Sequence, residues 1–186
     1  MLIPRKRPAA GFTLIELVIF IVVIALALTG TILVINQSVT LAPQALVKTR
    51  AMEIAQAYLD EIATKKYDEN TGQGGLPACD SAAGPNCTNE RACGSALNPT
   101  VLFGPDNETR STYNDVDDYH CTDDNPPVDA AGNSNPDYAD YRVQISVSYA
   151  GNDLGLADNR YAKLINLLIT TPFGDTIPVS YYRTNY

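Results

Sequence analysis

Between Leu17 and Val47 the sequence carries no charged side chain. Residues 12–35 are a run of 24, apolar except at Thr13, Glu16, Thr29, Gly30 and Thr31. As a helix rising ~1.5 Å per residue, such a run crosses a hydrocarbon layer of ~30 Å. A secretory signal peptide has a shorter apolar core with a small-residue cleavage site after it. Here the run is longer, and the small residue, Gly11, stands before it. Arg5, Lys6 and Arg7 also precede the run. Positive charge on that side keeps the N-terminus in the cytoplasm and sends the body across the membrane. Hydropathy alone therefore predicts a single-pass anchor carrying an exported body.

The junction of basic segment and apolar run reads Gly11-Phe12-Thr13-Leu14-Ile15-Glu16. This hexapeptide resembles the processing site of type IV prepilins and type II secretion pseudopilins. The resemblance implies that residues 1–11 are a leader, that a prepilin peptidase cuts after Gly11, and that Phe12 is N-methylated. Glu16 then becomes the fifth mature residue. A carboxylate within a membrane span costs roughly 2.5–3.5 kcal/mol on insertion scales, so it marks a functional position. The implied role is assembly: Glu16 of one subunit neutralises the new α-amino group on Phe12 of a neighbour in the filament core. A pair of this kind specifies stagger between subunits more than raw stability. The partners implied are other pilin subunits, the prepilin peptidase and the inner-membrane pilus assembly machinery. The chain would sit in the bacterial inner membrane with its body in the periplasm, then in a pilus on the cell surface.

Beyond the transmembrane and filament-core helix at 12–35, residues 36–67 are expected to continue as an amphipathic helix. Met52, Ala55, Leu59 and Ile62 recur at helical spacing, while Glu53, Gln56, Asp60 and Glu61 fall elsewhere. That stripe is expected to pack on a head. Pro43 lacks an N–H and disfavours helical geometry at Ala42, which predicts a kink or local break there.

Residues 68–186 make up that head. Its first part, 68–137, is rich in Gly, Pro, Asn, Asp and Ser with no sustained periodicity, and residues 99–103 are its one candidate strand. Cys79, Cys87, Cys93 and Cys121 lie here. An even count in an exported body predicts two disulfides that restrain the loops. Three pairings are possible, of which Cys79–Cys87 with Cys93–Cys121 is the most local. Intervening lengths of 7, 5 and 27 residues do not suit a zinc site. Asp115, Asp117 and Asp118 are candidates for Ca²⁺, since they sit in an acidic run. The run lacks the Gly and terminal Glu of an EF-hand loop, and a solvated turn is the favoured expectation. His120, the single histidine, has no evident nucleophile to activate. Asp117 and Asp118 are adjacent and would face opposite ways on an extended segment. Neither pattern makes an enzyme, and no cofactor is expected.

The second part, 138–186, reads as β structure. Tyr141, Val143, Ile145, Val147 and Tyr149 alternate with polar residues. Residues 162–171 are largely apolar on both parities, as for a strand covered on two faces, and 177–183 return after a tight turn at 172–175. Pro178 places this last strand at an edge. The expected fold is α+β: a long N-terminal helix packed on a C-terminal antiparallel meander, the pilin arrangement.

The formal net charge is −8, and residues 106–140 hold ten acidic side chains against one basic side chain, Arg110. That balance excludes nucleic acid as a partner, because phosphate binding needs a basic face. The segments 114–119 and 147–151 and the stretch from Thr170, Thr171 and Pro172 onward further resemble the MshD-type minor pilins of the mannose-sensitive haemagglutinin (MSHA) pilus. This implies a low-abundance subunit that helps to initiate a surface fibre. A type II secretion pseudopilin shares the anchor and is the nearest alternative. A membrane-tethered periplasmic binding protein or enzyme is the alternative of a different class.

Overall fold

The computed structural model describes the backbone of residues 11, 13–72, 75–94 and 102–185, and their side chains except at 33, 34 and 36–42. The first compact unit, Met1–Ala45, and the second, Leu46–Tyr186, are described in turn.

Helix α1 spans Leu14–Ala63. Thr13 starts it, with its hydroxyl accepting the Glu16 N–H at 3.4 Å and its carbonyl accepting that of Leu17 at 3.2 Å. Such side-chain acceptors satisfy amides that the first turn leaves unpaired. In the first unit α1 is long and apolar enough to cross a membrane over Leu14–Ile32. Thr29 and Thr31 do not interrupt it, because their hydroxyls donate back to Ala25 O and to Ala27 O and Leu28 O. Of the kink or local break expected at Pro43, the break is not formed: α1 runs on through the proline. A proline removes one ladder bond, and the helix-forming residues on both sides carry the rest.

In the second unit the sheet has four strands among the described residues: β1 (Asp123–Asp124), β2 (Arg142–Tyr149), β3 (Ala162–Thr170) and β4 (Thr176–Thr184). They lie in sequence order and all neighbours are antiparallel. This is the expected α+β meander with one short strand added. β4 is an edge strand and holds Pro178 opposite Leu168, where the missing N–H costs no ladder bond inside the sheet. The β3–β4 turn closes through Thr171 N to Asp175 O at 2.8 Å, and Gly174 supplies the φ of +84° that it needs.

Along β2 and β3 the inward parity, including Val143, Ile145, Val147, Ile165, Leu167 and Ile169, is buried. The opposite parity of β3, Leu164 and Leu168, is only half-buried. The strand is thus covered on one face rather than on two. The α1 residues against this core are Ala51, Ile54, Ala55, Tyr58 and Ile62, with Leu59 at the margin. The stripe is rotated from the sequence expectation, since Met52 is 49% exposed and Ile54 and Tyr58 take the central places. Bulk decides this: the face carrying Ile54, Tyr58 and Ile62 at spacings of four buries more apolar area than the face through Met52.

After Ala63 the chain tightens through Thr64 N to Glu61 O and Lys65 N to Ile62 O. Lys66 then pairs with the acidic segment, accepting Val116 N at 3.0 Å and donating to Asn114 O at 3.1 Å. The candidate strand at 99–103 lies partly outside the described residues. Of its described part, Leu102 forms a single bridge to Asn89, and Phe103 is fully buried.

Candidate functional site

Two regions concentrate chemistry. The first is the N-terminal segment. Gly11 and Glu16 are exposed, and Phe12 lies outside the described residues. Glu16 occupies the first turn of α1, where a negative side chain complements the helix dipole. Among the described residues, none of the apolar run over Leu14–Ile32 is buried. Phe20 is 61% and Leu26 70% exposed, so this surface belongs against lipid or against other helices.

The second region is a charged cluster inside the head, built from three places in the sequence. Asp68 follows the end of α1, Asp115, Asp117 and Asp118 belong to the acidic segment, and Lys163 comes from β3. All five are buried, and Lys163 and Asp68 have no exposed surface. The solvated turn expected for the acidic segment is therefore overturned. Its residues are drawn inward because the carboxylates have donors to meet. Asp115 Oδ1 accepts Asp117 N at 2.7 Å and Asp118 N at 3.2 Å, and Asp118 Oδ2 accepts Asn114 N at 2.8 Å and Asp115 N at 3.1 Å. These bonds fold the segment into the 3₁₀ turn Asp117–Tyr119. Lys163 donates to Tyr67 O at 2.6 Å, to Asp68 Oδ2 at 3.1 Å and to Asp117 Oδ1. Its ammonium also lies over the rings of Tyr67, Phe103 and Tyr149, at 4.3, 4.8 and 5.5 Å.

Four acids around one base cannot all be ionised in a dry interior. Burial works against the Asp68 carboxylate, but Lys163 and the amides of Asn70 and Thr88 outweigh it and hold the group below its ordinary range. At Asp117 burial dominates and raises the carboxyl well above that range, with Lys163 pulling the other way. Burial, reinforced by Asp118, pushes Asp115 up to about 8. Lys163 is thus paired to Asp68, and burial favours the neutral form of the acids beside them.

Both disulfides form, as Cys79–Cys87 and Cys93–Cys121. The first is buried with Tyr67 in a small satellite core. His120 packs near the second, with Nε2 3.8 Å from Cys93 Sγ. Its Nδ1 accepts Val147 N at 3.1 Å, so Nε2 carries the hydrogen given to Arg91 O at 3.0 Å. Burial lowers its pKa. Both ring nitrogens are thus engaged in structure.

Among the described residues, two groups bring three metal-ligating atoms together: Cys93, His120 and Cys121, and Asp68, Cys79 and Cys87. Each contains a disulfide, whose sulfurs are not thiolates. The Ca²⁺ candidates Asp115, Asp117 and Asp118 spend their carboxylates on backbone amides and Lys163 rather than on a shared point.

Sequence reasoning passes over Lys163 and Asp68. One signal was available: Lys163 shares the parity of Ile165, Leu167 and Ile169, which is the inward face of β3.

Residues 6–32 match the family described as the prokaryotic N-terminal methylation motif. No curated protein and no solved structure matches the chain. The matched segment carries Gly11, Phe12 and Glu16 and most of the span, and it is the motif of type IV pilin-like proteins, pseudopilins included.

Proposed function

We propose that the chain is a minor pilin of a type IV, MSHA-like pilus that helps to initiate and assemble the filament, and thereby serves adhesion or motility. The observation that carries this reading is the methylation motif at 6–32 leading into an apolar helix that stands exposed among the described residues. In this reading a prepilin peptidase removes residues 1–11 after Gly11, and Phe12 is methylated at its new amine. The span holds the subunit in the inner membrane until the assembly machinery packs it against other pilins. Glu16 meets the amine of a neighbouring Phe12 there. The head stays outside the filament core, and its two disulfides suit an oxidising compartment.

The pilus is preferred to a secretion pseudopilus because the head carries a long acidic, disulfide-bonded insert, and because segments 114–119 and 147–151 and the stretch from Thr170 onward resemble MSHA minor pilins. Quantifying the protein in sheared surface fibres tests the proposal. A few copies per fibre, with fibres lost on deletion, is the expected result. Intact fibres with lost enzyme secretion after deletion would move the chain to the pseudopilins. Mature protein never found in fibres would move it to the tethered periplasmic proteins.

A further inference from the structure

Lys163 Nζ is sealed in the head with two carboxyl groups that differ in kind. Asp68 accepts from Asn70 N, Thr88 N and the Thr88 hydroxyl as well as from Lys163. It is a carboxylate held by four donors. Asp117 accepts, among the described residues, from Lys163 alone, and its buried Oδ2 has no hydrogen-bond partner. A charged oxygen left bare in the interior is costly, whereas a carboxylic acid is tolerated there. Asp117 is therefore the neutral member, consistent with the rise in its pKa that burial imposes. A neutral carboxylic acid can be attacked at carbon by an amine; a carboxylate resists attack. Nζ is in hydrogen-bond contact with Oδ1, so Cγ is one covalent bond further on. Tyr67, Phe103 and Tyr149 wall the site against water.

We propose that Lys163 and Asp117 become joined by an intramolecular isopeptide bond once the head has folded, with Asp68 as the proton-transfer group. The Lys163 ammonium gives one proton to the Asp68 carboxylate, 3.1 Å away, which leaves a neutral amine. The lone pair of Nζ attacks Asp117 Cγ to form the N–C bond. Asp68 returns its proton to the departing hydroxyl, the C–O bond breaks, and water leaves. The second proton shed by nitrogen ends on Asp68. The products are a secondary amide, one water and a protonated Asp68, and no electrons are exchanged. The reverse reaction needs water in a site that excludes it, so closure is favoured once that water has escaped. The bond would tie the acidic segment to β3 across 46 residues.

Intact-mass measurement of the full mature chain, denatured and reduced, decides the matter. The expected mass is about 18 Da below that of the linear chain, the loss of one water. A tryptic digest should yield a branched peptide joining the segment of Asp117 to that of Lys163, uncut after Lys163. Lys163→Met and Asp117→Ala should each restore the linear mass. Should those variants fail to fold, Asp68→Asn keeps a polar group against Thr88 and should accumulate the linear form. A wild-type chain at the linear mass, cut normally after Lys163, overturns the proposal. So does a water loss that persists in Lys163→Met.

Discussion

Glu61 and Arg110 face each other across the head, with Arg110 Nη2 2.8 Å from Glu61 Oε2 and side chains only 13% and 11% exposed. The other Glu61 oxygen accepts the Tyr119 hydroxyl at 2.5 Å. Arg110 lies over the rings of Tyr58, Tyr113 and Tyr119, the last at 4.6 Å. Helix α1 is thus fastened to the loop region by one carboxylate and one guanidinium as well as by the apolar stripe. Removing one partner of a nearly buried pair strands the other. Glu61→Ala is expected to cost about 3 kcal/mol in chemical denaturation of the detergent-solubilised chain. Adding Arg110→Ala should cost less than the sum of the two single changes. Additive losses would mean that the pair is not coupled.

The two disulfides differ in access and in loop length. Cys93 is exposed and Cys121 half-buried, whereas Cys79 and Cys87 are buried. Graded reduction with alkylation and peptide mapping should therefore label Cys93 and Cys121 first. Once both are removable, loop closure ranks their effects: the 28-residue separation of Cys93 and Cys121 exceeds the 8-residue separation of Cys79 and Cys87. Replacing the longer link by alanines is expected to cost about 3–4 kcal/mol and the shorter about 2–3 kcal/mol. Labelling of Cys79 before Cys93 would contradict the packing of the satellite core.

Much of this fold can be read from the sequence, and the failures have a common cause. The strands and the apolar span are periodic or continuous, so their signal is local. The alternation of residues 141–149 needs no knowledge of what lies opposite. What escaped was what depends on partners far along the chain. The segment 114–120 reads as a polar turn because its residues are polar, yet Lys163 and a set of backbone amides draw it into the core. Met52 fits the helical period as well as Ile54 does, and only the position of the sheet decides which is buried. The two-residue strand β1 exists through its pairing with Val143 and Gln144 and has no pattern of its own.

Asp115 should make the head less stable as pH rises. Burial first, and Asp118 next, push its folded carboxyl up to about 8 from an ordinary value of 3.8. Between those values the folded state holds a proton that the unfolded state has released, so stability falls with increasing pH. Below about 4 both states are protonated and the effect vanishes. Asp115→Asn keeps an oxygen for Asp117 N and Asp118 N but cannot ionise. Its melting temperature should exceed that of the wild type at pH 8 by several degrees, for a few kcal/mol of relief. The difference should shrink towards pH 4. Parallel melting curves for both proteins would refute the assignment of the proton to Asp115.

Glu16 tests the assembly reading directly. It is exposed in the first turn of α1, so its removal takes away a dipole complement but no packing among the described residues. Glu16→Ala should therefore be made, inserted and cut after Gly11 like the wild type. Insertion should even be easier, since a carboxylate is costly in a span. What the variant lacks is the counter-charge for the amine of a neighbouring Phe12. Its amount in sheared fibres should drop about tenfold, the change that about 1.4 kcal/mol of lost contact produces. Immunoblots of membrane and fibre fractions from the same cells separate the two steps. Equal membrane levels with depleted fibres would locate the defect in assembly, and normal incorporation would remove Glu16 from the mechanism. Replacing Gly11 by a bulky residue should block the earlier step, leaving the uncut form in the membrane. Continued leader removal in that variant would mean that cleavage occurs elsewhere.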